Sequence, residues 1–176
     1  MNYFNSASFQ KTYLEKGRKI SEQSFTVLKT QLMNSIRMGG IEGALKYCSS
    51  EAIPLTDSLS KVFESSIKRT SLKWRNPNNQ PTEMERAILE YFGSRHARGV
   101  MINDSLIGLQ DDIVLYVKPI FVQEMCQNCH GTVGGSITES NYDIIKKLYP
   151  DDKAVDYKSG DLRGMWSIRL NVNKSQ

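Results

Sequence analysis

A chain of 176 residues with 39% hydrophobic and 24% charged side chains can bury one sizeable core and carries no compositional mark of disorder or repetition. Its formal charge of +4 is dispersed rather than gathered into a basic stripe with interleaved aromatics, which excludes nucleic acid as the default partner. No run of about 18 or more apolar residues occurs, and residues 1–40 lack the basic start, apolar middle and small-residue exit of a signal peptide.

Residues 8–37 read as one long helix, because Phe25, Leu28, Leu32 and Ile36 recur at helical spacing and no proline intervenes. Lys11, Lys16, Arg18, Lys19 and Glu22 make its early part too polar to be buried on most sides. The expectation is a solvated helical arm over residues 1–40 followed by a folded domain over 41–176, with a dimerising or membrane-linking helix as the alternative. Gly39-Gly40 breaks the pattern, and Ile41 to Ser50 restarts a helix with Ala44, Leu45 and Cys48 on one face. On such a stripe Cys48 reads first as a small buried hydrophobe.

After Pro54 a further helix is expected to about Phe63, and Ser66 to Trp74 alternates as a strand. It leads into Arg75-Asn76-Pro77-Asn78-Asn79-Gln80-Pro81, a loop fixed by its prolines and asparagines. Thr82 with Glu85 forms a capping box for a helix to Phe92, with Gly93 as its stop. His96 follows between Arg95 and Arg98, where an exposed or hydrogen-bonded side chain is expected. Ile113 to Val122 reads as a buried strand running into Cys126-Gln127-Asn128-Cys129-His130. Asn141 to Leu148 is a short helix stopped by Pro150, and a polar loop reaches to Gly164. The terminal segment alternates Trp166, Ile168, Leu170 and Val172 against Ser167, Arg169 and Asn171, a strand with one face on the core. Helices followed by mixed short helices and strands indicate an α+β domain with antiparallel pairing.

The chemistry concentrates in the Cys126 to His130 pentapeptide. Two thiols two residues apart can each add to a vinyl group of one haem, and the adjacent histidine then becomes an axial ligand of the iron. A zinc site would need further ligands, and no second CxxC or histidine pair lies downstream. A thioredoxin-like dithiol would want its CxxC opening a helix in a βαβ unit. His130 fills one of two axial positions. Cys48 is a candidate for the other, in competition with Met101, Met125, Met165 and His96, the one histidine besides His130. Arg69, Arg75 and Arg163 are candidates for the haem propionates, since a guanidinium pairs with carboxylates bidentately; for Arg75 and Asn76 the alternative is bracing of their own loop. Haem c is attached outside the bacterial inner membrane, so a periplasmic location is expected, the targeting segment being no part of the given chain.

Several stretches together resemble one family: Ala44 to Ala52 around Cys48; Arg69 to Asn79 with its RNPxN loop; Lys118-Pro119 followed by Cys126 to Gly131; and Tyr149 to Ala154 through Gly160-Asp161-Leu162-Arg163-Gly164. The chain is similar to bacterial and cyanobacterial c-type haem-binding sensor domains with a PAS-like fold. The resemblance implies a PAS-like antiparallel sheet flanked by helices, with one covalent haem held between the CxxCH segment and the helix bearing Cys48. It makes Cys126 and Cys129 the thioether positions, His130 the proximal ligand and Cys48 the distal candidate. The glycines Gly134 and Gly135, Ser136 and Met165 depart from the pattern without removing a ligand.

The expected function is a redox or small-ligand sensor module, with a low-potential electron-transfer cytochrome c as the alternative. Small electron carriers place CxxCH near the N-terminus of an all-helical chain, whereas here the motif begins at residue 126 among strands. An enzyme is not expected; peroxide or nitrite chemistry would need acid–base groups such as His96 with Arg95 or Arg98 beside an open iron. Beyond haem, the redox or membrane signalling partner stays open, as does a homodimer through the N-terminal helix.

Overall fold

The computed structural model describes residues 6–109 and 112–172. Helix α1 spans Ala7–Ser50, opened by Ser6, whose Oγ accepts the Phe9 N–H, and interrupted where the backbone leaves helical values at Gly39 and at Gly40 (φ 62°). Then come α2 (Ala52–Val62), β1 (Ser65–Thr70), a 3-10 turn at Pro77–Asn79, α3 (Glu83–Ala97), β2 (Ser105–Gly108) and β3 (Ile113–Phe121). A second 3-10 turn (Glu124–Cys126) leads into the single-turn α4 (Gln127–His130), followed by α5 (Glu139–Leu148) and β4 (Leu162–Asn171). The four strands form one antiparallel sheet in the order β1-β4-β3-β2. This is the expected α+β architecture with its long N-terminal helix. Among the described residues no helix is long and apolar enough to cross a membrane.

The period-two alternation of β3 and β4 sends side chains to both faces of the sheet. Val114, Tyr116, Trp166, Ile168 and Leu170 join Ile67 against α1 and α2. Leu115, Val117 and Met165 point the other way, onto Leu89 and Phe92 of α3. The outer face of the terminal strand is covered only in part: Arg169 and Asn171 stay exposed as expected, whereas Ser167 is as buried as Trp166, where α3 covers the sheet. A third cluster joins Ile41 and Leu45 of the later α1 segment to Ile137, Ile145 and Cys129, tying Cys48's stretch of helix to the CxxCH turn.

From Phe9 to Leu28 the first helix is packed on the sheet rather than standing as the expected solvated arm. Phe9, Tyr13, Ile20 and Leu28 are buried in the core they share with the sheet. Between them the helix places Gly17, Ser21 and Ser24, also buried, so its inner stripe is built of small residues that do not read as hydrophobic. The approach is close: a Cβ at Gly17 would sit 2.3 Å from the Tyr116 ring. Arg18 reinforces it with a two-pronged contact to Asp104 at 2.7 and 2.9 Å, and the Tyr116 hydroxyl donates to the same carboxylate at 3.0 Å.

Other boundaries move for local reasons. The capping box at Thr82 and Glu85 is present, but α3 passes through Gly93 and ends at Ala97. The stop is Gly99, whose φ of +68° supplies the left-handed turn. The strand expected to Trp74 ends at Thr70, where Ser71 turns to donate its hydroxyl to the Arg163 carbonyl at 2.6 Å. Helix α2 begins at Ala52, with Pro54 accommodated in its first turn, where a missing N–H costs nothing. The four-residue edge strand β2 has too short a pattern to be read from sequence.

Candidate functional site

A cleft of about 320 Å³ opens where α1, β1, the end of β3, the CxxCH turn and the start of β4 meet. Its walls are largely apolar, from Phe25, Leu28, Leu32 and Ile36 of α1 to Ile120 and Val122 across the gap. Its size falls at the lower end of small-molecule and cofactor sites. Cys48, Arg69, Arg75, Cys126, Cys129, His130 and Arg163 all line it. Of the competing ligands only Met125 does. Met101 is 79% exposed, Met165 is buried on the α3 side of the sheet, and His96 packs against Phe121 with ring centroids 5.5 Å apart.

The CxxCH turn is built so that its reactive atoms share a side. The 3-10 turn closes through Cys126 N–H to the Gln123 carbonyl at 2.9 Å, and α4 closes through Gly131 N–H to Gln127 at 2.8 Å. In one helical turn, positions three and four apart stack on one face, which brings Cys126, Cys129 and His130 to the cleft together. The loop after α5 then pairs with the turn: Tyr157 N–H reaches the His130 carbonyl and Asp156 N–H the Gly131 carbonyl, both at 2.9 Å.

His130 has a defined tautomer. Its Nδ1 lies 2.8 Å from the Ala154 carbonyl oxygen, which can only accept, so Nδ1 carries the proton and Nε2 keeps its lone pair. Burial, joined by the positive charges of Arg163, Arg75 and Arg69, holds its pKa well below the usual imidazole value against the opposing Ala154 bond. The ring is therefore neutral at pH 7, the form in which histidine ligates a metal.

Two of the thiols, Cys129 and Cys48, are held toward the neutral form as well. Burial pushes Cys129 up to about 11. Burial also raises Cys48, against the pull of Arg69 and Arg75.

The three arginines differ in what they do. Arg75 is nearly buried; its Nε donates to Asp152 at 3.0 Å, and one terminal nitrogen reaches Asp152, the Cys129 carbonyl and the Ala154 carbonyl at 3.1, 2.7 and 3.2 Å. Arg75 thus ties the 152–154 segment to the CxxCH turn rather than bracing its own loop, where Asn76 accepts the Asn78 N–H at 3.0 Å. Arg163 donates to the Lys73 carbonyl at 3.0 Å and lies over the Tyr157 ring at 5.3 Å. Arg69 lies over the Trp166 ring at 5.8 Å, and among the described residues it has no hydrogen bond or ion pair. Burial lowers its pKa, as expected of a cation without an anion.

Asp152, Ala154, Tyr149 and Tyr157 complete the site and escaped sequence reasoning as functional residues. The signal for Asp152 was faint: one acid of a polar loop. A backbone carbonyl such as that of Ala154 leaves no signature at all. Among the described residues no three Cys, His, Asp or Glu side chains are arranged to hold a metal ion by themselves, whereas a structural zinc site takes four protein ligands. What the residues do fit is a flat, largely apolar group with anionic substituents: two thiols and one lone pair on one side, Cys48 on the helix across, and an unpaired guanidinium at Arg69.

Comparison with known proteins agrees with this geometry. No curated protein matches the chain. The crystal structure of the cyanobacterial haem protein Tll0287 matches with a TM-score of 0.55 at 22% identity, over 89% of this chain and 98% of that one, a likeness of fold. The family model described as Tll0287-like matches residues 6–171, and by that match, which takes in the long helix, the sheet and the whole cleft, the chain belongs to the Tll0287-like family.

Proposed function

We propose that the chain is a c-type haem protein acting as a redox or small-ligand sensor module on the periplasmic side of a membrane. The observation that carries the reading is the convergence of Cys48, the complete CxxCH turn and the unpaired Arg69 on one largely apolar cleft. Membership of a family whose solved relative Tll0287 is described as a haem protein supports the cofactor.

Cys126 and Cys129 would hold the group through thioether bonds, His130 would ligate through Nε2, and Arg69 would pair with a propionate. Bound haem supplies a one-electron ferric–ferrous couple. Cys48 supplies what separates a sensor from a carrier. Its thiolate is the ligating form, and burial favours the neutral thiol unless positive charge faces it. A thiolate ligand that is favoured in the more positive state of the site and disfavoured in the less positive one is a switchable contact. An electron carrier keeps the same two ligands in both states, and that is the alternative reading.

The test is a ferric and dithionite-reduced absorption spectrum with a pyridine haemochrome assay, on protein made together with a haem c maturation system. A covalent c-type signal with thiolate-like ferric features that disappear on reduction is expected. Identical ligation in both oxidation states would favour the carrier, and no haem under competent maturation would overturn the cofactor.

A further inference from the structure

We infer that the Arg75–Asp152 ion pair is a positioning device for His130, acting through the carbonyl of Ala154. The inference rests on the haem reading for its purpose but not for its geometry. The Ala154 oxygen receives both the His130 ring at 2.8 Å and the Arg75 guanidinium at 3.2 Å. Arg75 also donates to the Cys129 carbonyl at 2.7 Å, in the peptide unit that leads into His130. One guanidinium thus ties down the backbone that carries the imidazole and the acceptor that aims it. Asp152 closes the loop: one carboxylate oxygen takes the Arg75 Nε at 3.0 Å and the Ala154 N–H at 2.9 Å, while the other takes the terminal nitrogen at 3.1 Å.

The pair is deeply buried, with Asp152's side chain 1% exposed. Buried pairs are seldom better for stability than an apolar replacement, so their presence asks for another role. Here every side-chain bond of the pair that leaves it ends on Ala154 or on the peptide unit before His130. Outer-shell partners of a ligating histidine fix its tautomer and ring orientation and set its basicity. The two charges act oppositely on that shell. Arg75 holds the Ala154 oxygen in place for Nδ1–H and adds positive charge beside the ring, and Asp152 supplies the balancing negative charge.

Nitrogen-15 NMR of the histidine rings at pH 7, on the 176-residue chain without haem, gives the first test. The wild type should show His130 as a single Nδ1–H tautomer, and Asp152→Asn and Arg75→Lys should each populate the Nε2–H form. Arg75→Lys keeps the charge and loses the fork, so an effect of charge alone leaves the tautomer unmoved. In haem-loaded protein, Asp152→Asn leaves an uncompensated cation and should raise the midpoint potential, whereas Arg75→Gln leaves an anion and should lower it. Persistence of the Nδ1–H form in both tautomer variants, or potential shifts of the same sign, overturns the proposal. Should Asp152→Asn not fold, Arg75→Lys carries the comparison, and a wild-type ring proton on Nε2 refutes it alone. Failure of haem attachment would strike the haem reading and leave the tautomer measurement standing.

Discussion

Replacing Arg69 by methionine should stabilise the haem-free chain and weaken the haem-loaded one. Arg69 sits on β1 opposite Trp166, has no carboxylate within the described protein, and feels burial as the largest influence on its pKa. Desolvating a partly covered cation without a partner costs about 1–3 kcal/mol, discounted from the fully buried case because water still reaches the side chain. Methionine keeps the apolar stem against Trp166 and gives up a cation–π contact of about 0.5–1 kcal/mol. The net gain is about 1 kcal/mol. With a urea slope of about 2 kcal/mol per molar, the unfolding midpoint should rise by about 0.5 M. In matured protein, on the proposed pairing with a propionate, the same change would remove a charge-assisted bond worth about 1.5–3 kcal/mol, and the midpoint should fall below wild type. Arg75→Met is the control, since it strands the buried Asp152 carboxylate and should cost about 3–5 kcal/mol with or without haem. Urea titrations by far-UV circular dichroism on both forms decide the matter. A haem-free Arg69→Met less stable than wild type would refute the view that this guanidinium awaits an anion.

Cys48→Ser in matured protein should change the ferric absorption spectrum strongly, and an unchanged spectrum would remove Cys48 from the iron. Gly17→Ala, which would gain about 1 kcal/mol in an open helix, should instead lose about 1–3 kcal/mol, because its Cβ would meet the Tyr116 ring at 2.3 Å. The melting temperature should drop by about 2–4 °C per kcal/mol lost, and a rise would mean that the helix can back away from the sheet. For Glu85, burial alone would raise the pKa, but the Thr82 N–H, the Lys68 ammonium and the Ser167 hydroxyl outweigh it and hold the carboxyl below its ordinary value. A depressed carboxylate contributes stability that is complete above its unfolded pKa of about 4.3 and disappears as pH falls through the folded value. The stability gap between wild type and Glu85→Gln should therefore stay constant from about pH 6 to 8 and shrink below about pH 4; a gap independent of pH to the acid limit would show that the charge contributes nothing.

What the sequence disclosed depended on how local each signal is. The CxxCH turn, the capping box at Thr82 and the alternation from Trp166 to Leu170 are contiguous patterns, and each appears where it was expected. The inner stripe of α1 was misread because burial there relies on Gly17, Ser21 and Ser24, small residues chosen for close approach rather than hydrophobicity. Gly93 reads as a stop because a glycine late in a helix usually is one, whereas α3 runs on to Ala97 and packs His96 on Phe121 beyond it. Within the site, ring-bearing and sulfur-bearing residues announce themselves, but Asp152 and the Ala154 carbonyl matter only through contacts 77 and 24 residues distant in sequence.

The interruption at Gly39 and Gly40 divides α1 between two partners. Its first arm is fastened to the sheet through Phe9, Tyr13, Ile20 and Leu28, and its second, through Ile41 and Leu45, to α5 and the CxxCH turn. Gly40, at φ 62° with open space around its α-carbon, is the joint between them. Cys48 therefore lies on the arm that packs against the CxxCH turn, on the far side of the joint from the longer arm. The apolar wall of Phe25, Leu28, Leu32 and Ile36 belongs to the other half. One helix thus serves the cleft twice across a single glycine joint, with an apolar wall from its first arm and a candidate ligand from its second.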